Sequence, residues 1–201
     1  MNGAELATAI DRACTRLGDA SDELRELDAV VGDGDLGVTI AQGTAAVRAR
    51  LAELPGDVEP SHVVSAAAEV FGSTNPSTFA SLVASGLRSE AREFEGRTDW
   101  SVADSVELGR VVAATIARRG KSSVGDKTVL DALVPSLDAA SLHLSDGAAA
   151  LAAAIDAAKA GIASVTDVPA QKGRAAWAGE RGVGFADAGA TAYLRFLEAL
   201  Q

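Results

Sequence analysis

The stretch ELDAVVGDGDLGVT, residues 26–39, sets Asp28, Asp33 and Asp35 within eight residues and intersperses Gly32, Gly34 and Gly37. Three carboxylates this close repel one another unless a cation sits between them. A hard divalent ion suits them. Mg2+ takes carboxylate oxygens, keeps some of its waters and commonly shares its shell with substrate phosphates. The spacing is not that of an EF-hand loop, which also needs a bidentate Glu at its twelfth position. The competing explanation is a solvated Asp-Gly turn that ends a helix.

Three further stretches carry groups suited to anions. GSTNPST (72–78) joins Gly72, Ser73 and Thr74 to Asn75, which tolerates a left-handed backbone, and to Pro76, which suits a helix's first turn. Amides, hydroxyls and a helix N-terminus can hold an anion; an ordinary capped helix start explains the same residues. GKSSVGDKTVLDAL (120–133) sets Lys121, Asp126, Lys127, Thr128 and Asp131 at a loop-to-helix junction, where Asp126 is expected to cap the helix. Gly120-Lys121-Ser122 resembles the end of a P-loop, but position 115 is Thr and no strand precedes it, so that motif is rejected. KGRAAWAGERGVGFADAGA (172–190) carries Lys172, Arg174 and Arg181 on a glycine-rich loop able to clamp phosphate, with Trp177 available to stack on a base. A surface loop pinned by Arg–Glu pairs is the alternative. His62 and His143 stand alone and receive no role.

These stretches need helices to position them. Leu6, Ile10, Cys14 and Leu17 form a helical stripe that continues towards Leu24, and Val38, Ile40, Ala41 and Val47 begin a second helix. Further helices are expected over about 61–72 with Ser61 as cap, through Phe79 to Leu87, after Ser101, from Leu130 to Leu137, after Asp146, and from about 188 to 200. The result is an all-α chain of about eight helices without β alternation, and a long glycine-spaced segment at 166–189 read as functional.

Composition narrows the partners. Among 201 residues the net charge is −10, which excludes a nucleic-acid partner but not a phosphate ligand whose charge a bound cation reverses. The single cysteine, Cys14, excludes an intramolecular disulfide and a cysteine-based zinc site, and its neighbours make it a buried small hydrophobe. The N-terminus has no apolar signal core, and the Ala run at 148–154 is shorter than the ~18–20 residues of a membrane span. A cytoplasmic protein with no membrane partner is expected.

Taken in order, LDAVVGDGDLG (27–37), GDKTVLDALVP (125–135), KGRAAWAGERGVG (172–184) and DAGATAYLRFLEAL (187–200) resemble the DhaL-type nucleotide-binding subunit or domain of dihydroxyacetone kinases, along nearly the whole chain. The resemblance implies one domain over 1–201, a closed barrel of eight antiparallel α-helices, with ADP or ATP at one rim. It implies that Asp28, Asp33 and Asp35 bind two Mg2+ ions bridging the nucleotide phosphates. It implies a phosphate-cradling turn at Phe71–Pro76, with Gly72, Ser73, Thr74 and Asn75. Gly125, Thr128, Val129 and Leu130 would lie by the nucleotide. Arg174, Gly179 and Asp187 would line the lid, and Arg181 would serve catalysis. It implies phosphoryl transfer to a small ketose held by a separate DhaK-type subunit, with ATP or a phosphotransferase-system protein as donor. Departures are plain: Leu36 and Phe185 stand where the family commonly has His, Ala188 where it has Pro, and the turn FGSTNPSTF lacks two of the family's glycines. They leave open a non-catalytic nucleotide-binding module that serves as a regulator or complex component.

Overall fold

The computed structural model describes the backbone of residues 1–201 and the side chains of all but Glu90 and Arg92. The described residues form nine α-helices and three short 3-10 turns, with no strand. The helices are α1 (Gly3–Asp19), α2 (Ser21–Val31), α3 (Asp35–Leu51), α4 (Pro60–Thr74), α5 (Thr78–Ala91), α6 (Val102–Gly120), α7 (Leu130–Ala140), α8 (Gly147–Val165) and α9 (Ala188–Ala199).

The expected first helix is in fact two. It breaks at Ala20, where φ −85° and ψ 1° leave helical geometry. Leu17 and Leu24 nevertheless enter the same core cluster, so the apolar stripe reads as continuous across the break. The third expected helix begins one residue earlier than its supposed cap. Pro60 occupies its first turn, where a missing N–H costs nothing, and Ser61 is already inside. Ser101 and Asp146 do cap their helices: Ser101 shares a capping box with Asp104, and Asp146 accepts from the Ala149 amide at 3.0 Å.

Apart from α2, each helix packs against its successor along the chain, and α9 returns to pack against α1. α2 lies outside that circuit, against α3, α9 and the 3-10 turn Arg174–Gly182. The core is built from Ala, Val, Leu and Ile, which lets helices come close. The tightest approach joins α7 to α8. Pro135 has no N–H to offer the Asp131 carbonyl four residues back, and that oxygen lies where a side chain on Gly161 would begin, 1.8 Å from a β-carbon built there.

Helix α8 is longer than the Ala run suggested, at 19 residues, and is long and apolar enough to cross a membrane by length and composition alone. Its Ala150, Ala154, Ile155, Ala158 and Ile162 are buried against Ala132, Ala190, Leu194 and Leu197. Lys159, in the same helix, pairs with Glu198 at 3.1 Å. Cys14 is buried, and burial, aided by Asp11, pushes its thiol up to about 12, which keeps it inert.

Candidate functional site

The three aspartates converge where α2 ends and α3 begins. Asp28 sits in the last turn of α2, Asp33 in the connection, and Asp35 is the first residue of α3. Gly34, at φ 74°, makes the turn that brings them round. The Asp28 Oδ2 accepts the Leu36 amide at 3.3 Å, tying the end of one helix to the start of the next. Each aspartate offers one oxygen within 4.8 Å of the others. This all-oxygen set, free of His and Cys, is the chemistry of Mg2+ rather than of zinc or copper.

A cation already stands among them. Arg174, some 140 residues away in sequence, donates to Asp33 and, at 2.8 and 3.1 Å, to Asp35. The hydrogen bond to Asp35 raises its already high pKa. The guanidinium pairs with two of the three carboxylates, as a cation between them would, so the donor set and the cation it has drawn both suit a divalent ion.

Arg174 is delivered by the segment between α8 and α9, and that segment is pinned by Lys127, which the sequence placed at an anion-suited junction and not in the interior. Lys127 is 4% exposed, and its ammonium donates to the carbonyls of Thr166, Val168 and Gly182 at 2.7, 2.9 and 2.8 Å. Burial lowers its pKa, opposed by the carboxylates of Asp187 and Asp167. Nothing in the sequence pattern marks Lys127 as buried, since a lysine between Asp126 and Thr128 reads as a surface residue. Its neighbour Asp131, also buried, accepts from the amides of Gly125 and, at 2.7 Å, Thr128. Asp131 therefore holds the junction that Asp126 was expected to cap. Asp126 instead accepts the Ser123 amide at 2.8 Å within its own turn, four residues before α7 begins.

Asp187 caps α9, accepting the Ala190 amide at 2.7 Å. Burial, with Asp131 nearby, pushes its carboxyl up to about 6 from 3.8. Between those values the folded chain holds a proton that the unfolded chain has released. The stabilisation is complete below pH 3.8 and lost as pH rises through about 6. Asp187→Asn keeps the capping oxygen and cannot ionise. Urea unfolding of both proteins is expected to show the wild type losing on the order of 2–3 kcal/mol relative to D187N between about pH 4 and pH 7. A difference that stays flat across that range would mean that Asp187 ionises normally.

The turn GSTN is the end of α4, which runs two residues past its expected limit to Thr74. Ser73 and Thr74 turn their hydroxyls back onto the carbonyls of Glu69, at 2.8 Å, and Val70, at 2.5 Å, a bond that lets a helix accommodate such residues. The helix N-terminus beyond is that of α5, with Ser77 approaching the Ala80 amide at 3.4 Å. Among the described residues, Asn75 Nδ2 is the buried side-chain nitrogen or oxygen that lacks a partner, leaving one donor at this turn for an acceptor such as a phosphate oxygen. Leu36, Phe71, Phe79 and Ala188 share one cluster, so the aspartate turn, the α4–α5 turn and the start of α9 meet at one end of the molecule. Leu36 itself is 7% exposed and packs into that core.

Other expected site residues divide. Val129 and Leu130 are buried against Val112, Ile116 and Leu133, so only their backbone could reach a ligand. The Thr128 hydroxyl accepts the Leu130 amide at 3.2 Å, and Gly125 takes φ 98° beside it. Gly179, at φ 55°, interrupts the 3-10 turn 174–182, and Arg181 is exposed at its far end. Trp177 is 90% exposed, against neither Arg nor core.

Residues 30–201 match the model of the DAK2 domain. The chain belongs to the DAK2 domain family. It is a DhaL-type domain by its relatives as well. It is 30% identical over 174 residues to the ADP-binding subunit DhaL of PEP-dependent dihydroxyacetone kinase 1 from Listeria innocua, covering 83% of this chain and 79% of that one. It is 33% identical over 197 residues to the D-erythrulose kinase of Mycolicibacterium smegmatis, covering 94% of this chain and 33% of the kinase. The crystal structure of the dihydroxyacetone kinase from C. freundii, in complex with AMP-PNP and Mg2+, superposes with a TM-score of 0.76 at 25% identity, over 100% of this DAK2 chain and 34% of that one. The chain thus spans about a third of the length of these two kinases and most of the length of the DhaL subunit.

Proposed function

We propose that this chain is the Mg2+- and ADP/ATP-binding phosphoryl-donor domain of a small-ketose kinase, acting with a separate DhaK-type subunit that holds the sugar. One observation carries the proposal: Asp28, Asp33 and Asp35 converge in a DhaL-type domain, each with an oxygen within 4.8 Å of the others, and Arg174 pairs with two of them. The circuit of helix contacts from α1 through α3 to α9 and back supports a closed eight-helix barrel, a single unit whose rim carries the site.

In this reading Asp28, Asp33 and Asp35 hold two Mg2+ ions. Bound Mg2+ screens the phosphate charge as the phosphoryl group moves between oxygens. The protein's part is positioning. Arg174 and Arg181 offer planar donor pairs to phosphate oxygens. Asn75 Nδ2 adds a donor at the α4–α5 turn. Gly125 and Thr128, held by Asp131, border the nucleotide, and Gly179 shapes the lid over it. The donor that replenishes the nucleotide is ATP itself, by exchange, or a phosphotransferase-system protein that rephosphorylates bound ADP.

A second reading has one observation in its favour. The Ser73 and Thr74 hydroxyls are turned into α4, and Asn75 occupies a turn that is glycine-rich in the family. This favours a non-catalytic nucleotide-binding module. Mixing the chain with a DhaK-type subunit, ATP, Mg2+ and dihydroxyacetone, erythrulose and related ketoses separates the two. Phosphorylated ketose is expected. Nucleotide binding without transfer to any ketose would favour the module.

A further inference from the structure

We infer that Arg174 is a specificity-determining residue that keeps the aspartate site closed to metal alone and opens it to metal arriving with nucleotide. The inference rests on the metal reading proposed above and adds an order to it.

The segment that carries Arg174 is closed at its base and held at its tip by contacts with α2 and the aspartates. Lys127 holds the Thr166 and Val168 carbonyls at one end and the Gly182 carbonyl at the other, and the Gly184 amide bonds to the Thr166 carbonyl at 3.0 Å. The tip between them is flanked by Gly173 at φ 69° and Gly179 at φ 55°, conformations that leave swivels on both sides of residues 174–178. The tip packs against α2 with Ala178 buried, and Arg174 ties it to Asp33 and Asp35 through side chains that remain about half exposed. Trp177, three residues on, makes no comparable anchor at 90% exposure.

A divalent ion must compete with this guanidinium for the same oxygens. Entering alone, it drives Arg174 into water and forfeits the ion pairs. Entering with a nucleotide, it gives Arg174 a second anion, since a planar guanidinium suits phosphate as it suits carboxylate. Metal and nucleotide therefore bind with positive coupling, and by linkage each strengthens the other equally.

The test measures Mn2+ affinity by electron paramagnetic resonance, with and without ADP, in the full chain and in Arg174→Gln and Arg174→Lys. Arg174→Gln is expected to bind Mn2+ alone about two- to fivefold more tightly, the range of an exposed ion pair. The factor by which ADP tightens Mn2+ binding should shrink accordingly, and Arg174→Lys should fall between. Equal or weaker Mn2+ binding by R174Q would overturn the inference and leave the metal reading standing. Absence of Mn2+ binding in all three proteins, with or without ADP, would remove the metal reading and the inference with it.

Discussion

Lys127→Met is expected to destabilise the chain by about 3 kcal/mol and to free the segment between α8 and α9. The ammonium satisfies three carbonyls at 2.7 to 2.9 Å from a position that is 4% exposed. Methionine matches the length and fills the volume but donates nothing. The Thr166 carbonyl keeps the Gly184 amide at 3.0 Å and the Gly182 carbonyl the Phe185 amide at 3.3 Å, so the loss comes chiefly from the charge-assisted bonds, about 1.5–3 kcal/mol. Lys127 also takes φ 59°, unusual for a side-chain-bearing residue and held in place by its surroundings. Urea denaturation reads the stability. Tryptic cleavage after Lys172, Arg174 and Arg181, faster in K127M than in wild type under native conditions, reads the release. A loss below about 1 kcal/mol with unchanged cleavage would mean that the Arg174–Asp35 pairing alone holds the segment.

The second large effect is on ligand binding. The double variant Asp33→Asn, Asp35→Asn removes two of the three carboxylates proposed to hold metal while retaining oxygens of similar shape. Mg2+-dependent ADP affinity is expected to fall by about a hundredfold or more, because neutral amides hold a hard cation weakly. Stability without metal should change by less than about 1 kcal/mol. The variant gives up exposed ion pairs to Arg174 and at the same time relieves carboxylate repulsion. Thermal unfolding beside calorimetric ADP titration separates these effects. A large stability loss with unaltered ADP affinity would make these aspartates structural caps of α3.

Much of this architecture was legible because it rests on local rules. Apolar spacing marked most helices, and the Ser101 and Asp146 caps fell where short polar side chains precede apolar runs. The break at Ala20 was not legible, since Leu17 and Leu24 keep helical phase across it. Nor was the extension of α4 through Ser73 and Thr74, residues that usually favour turns but here bond back to their own helix. At the site, clustered like charges made the aspartates conspicuous. Their convergence with Arg174 was not, because it depends on the fold bringing residues 33 and 174 together. The burial of Lys127 and Asp131 was hidden for a related reason. Burying a lysine needs three carbonyls from a distant loop, and no local pattern announces them.

The central claim is that this DhaL-type domain binds nucleotide through metal held by Asp28, Asp33 and Asp35. Calorimetric titration of the purified chain with ADP, once with Mg2+ and once with excess EDTA, tests it most directly. Saturable binding near one ADP per chain with Mg2+, abolished by EDTA, is the predicted result. ADP binding indifferent to EDTA, or no binding in either condition, would contradict the account.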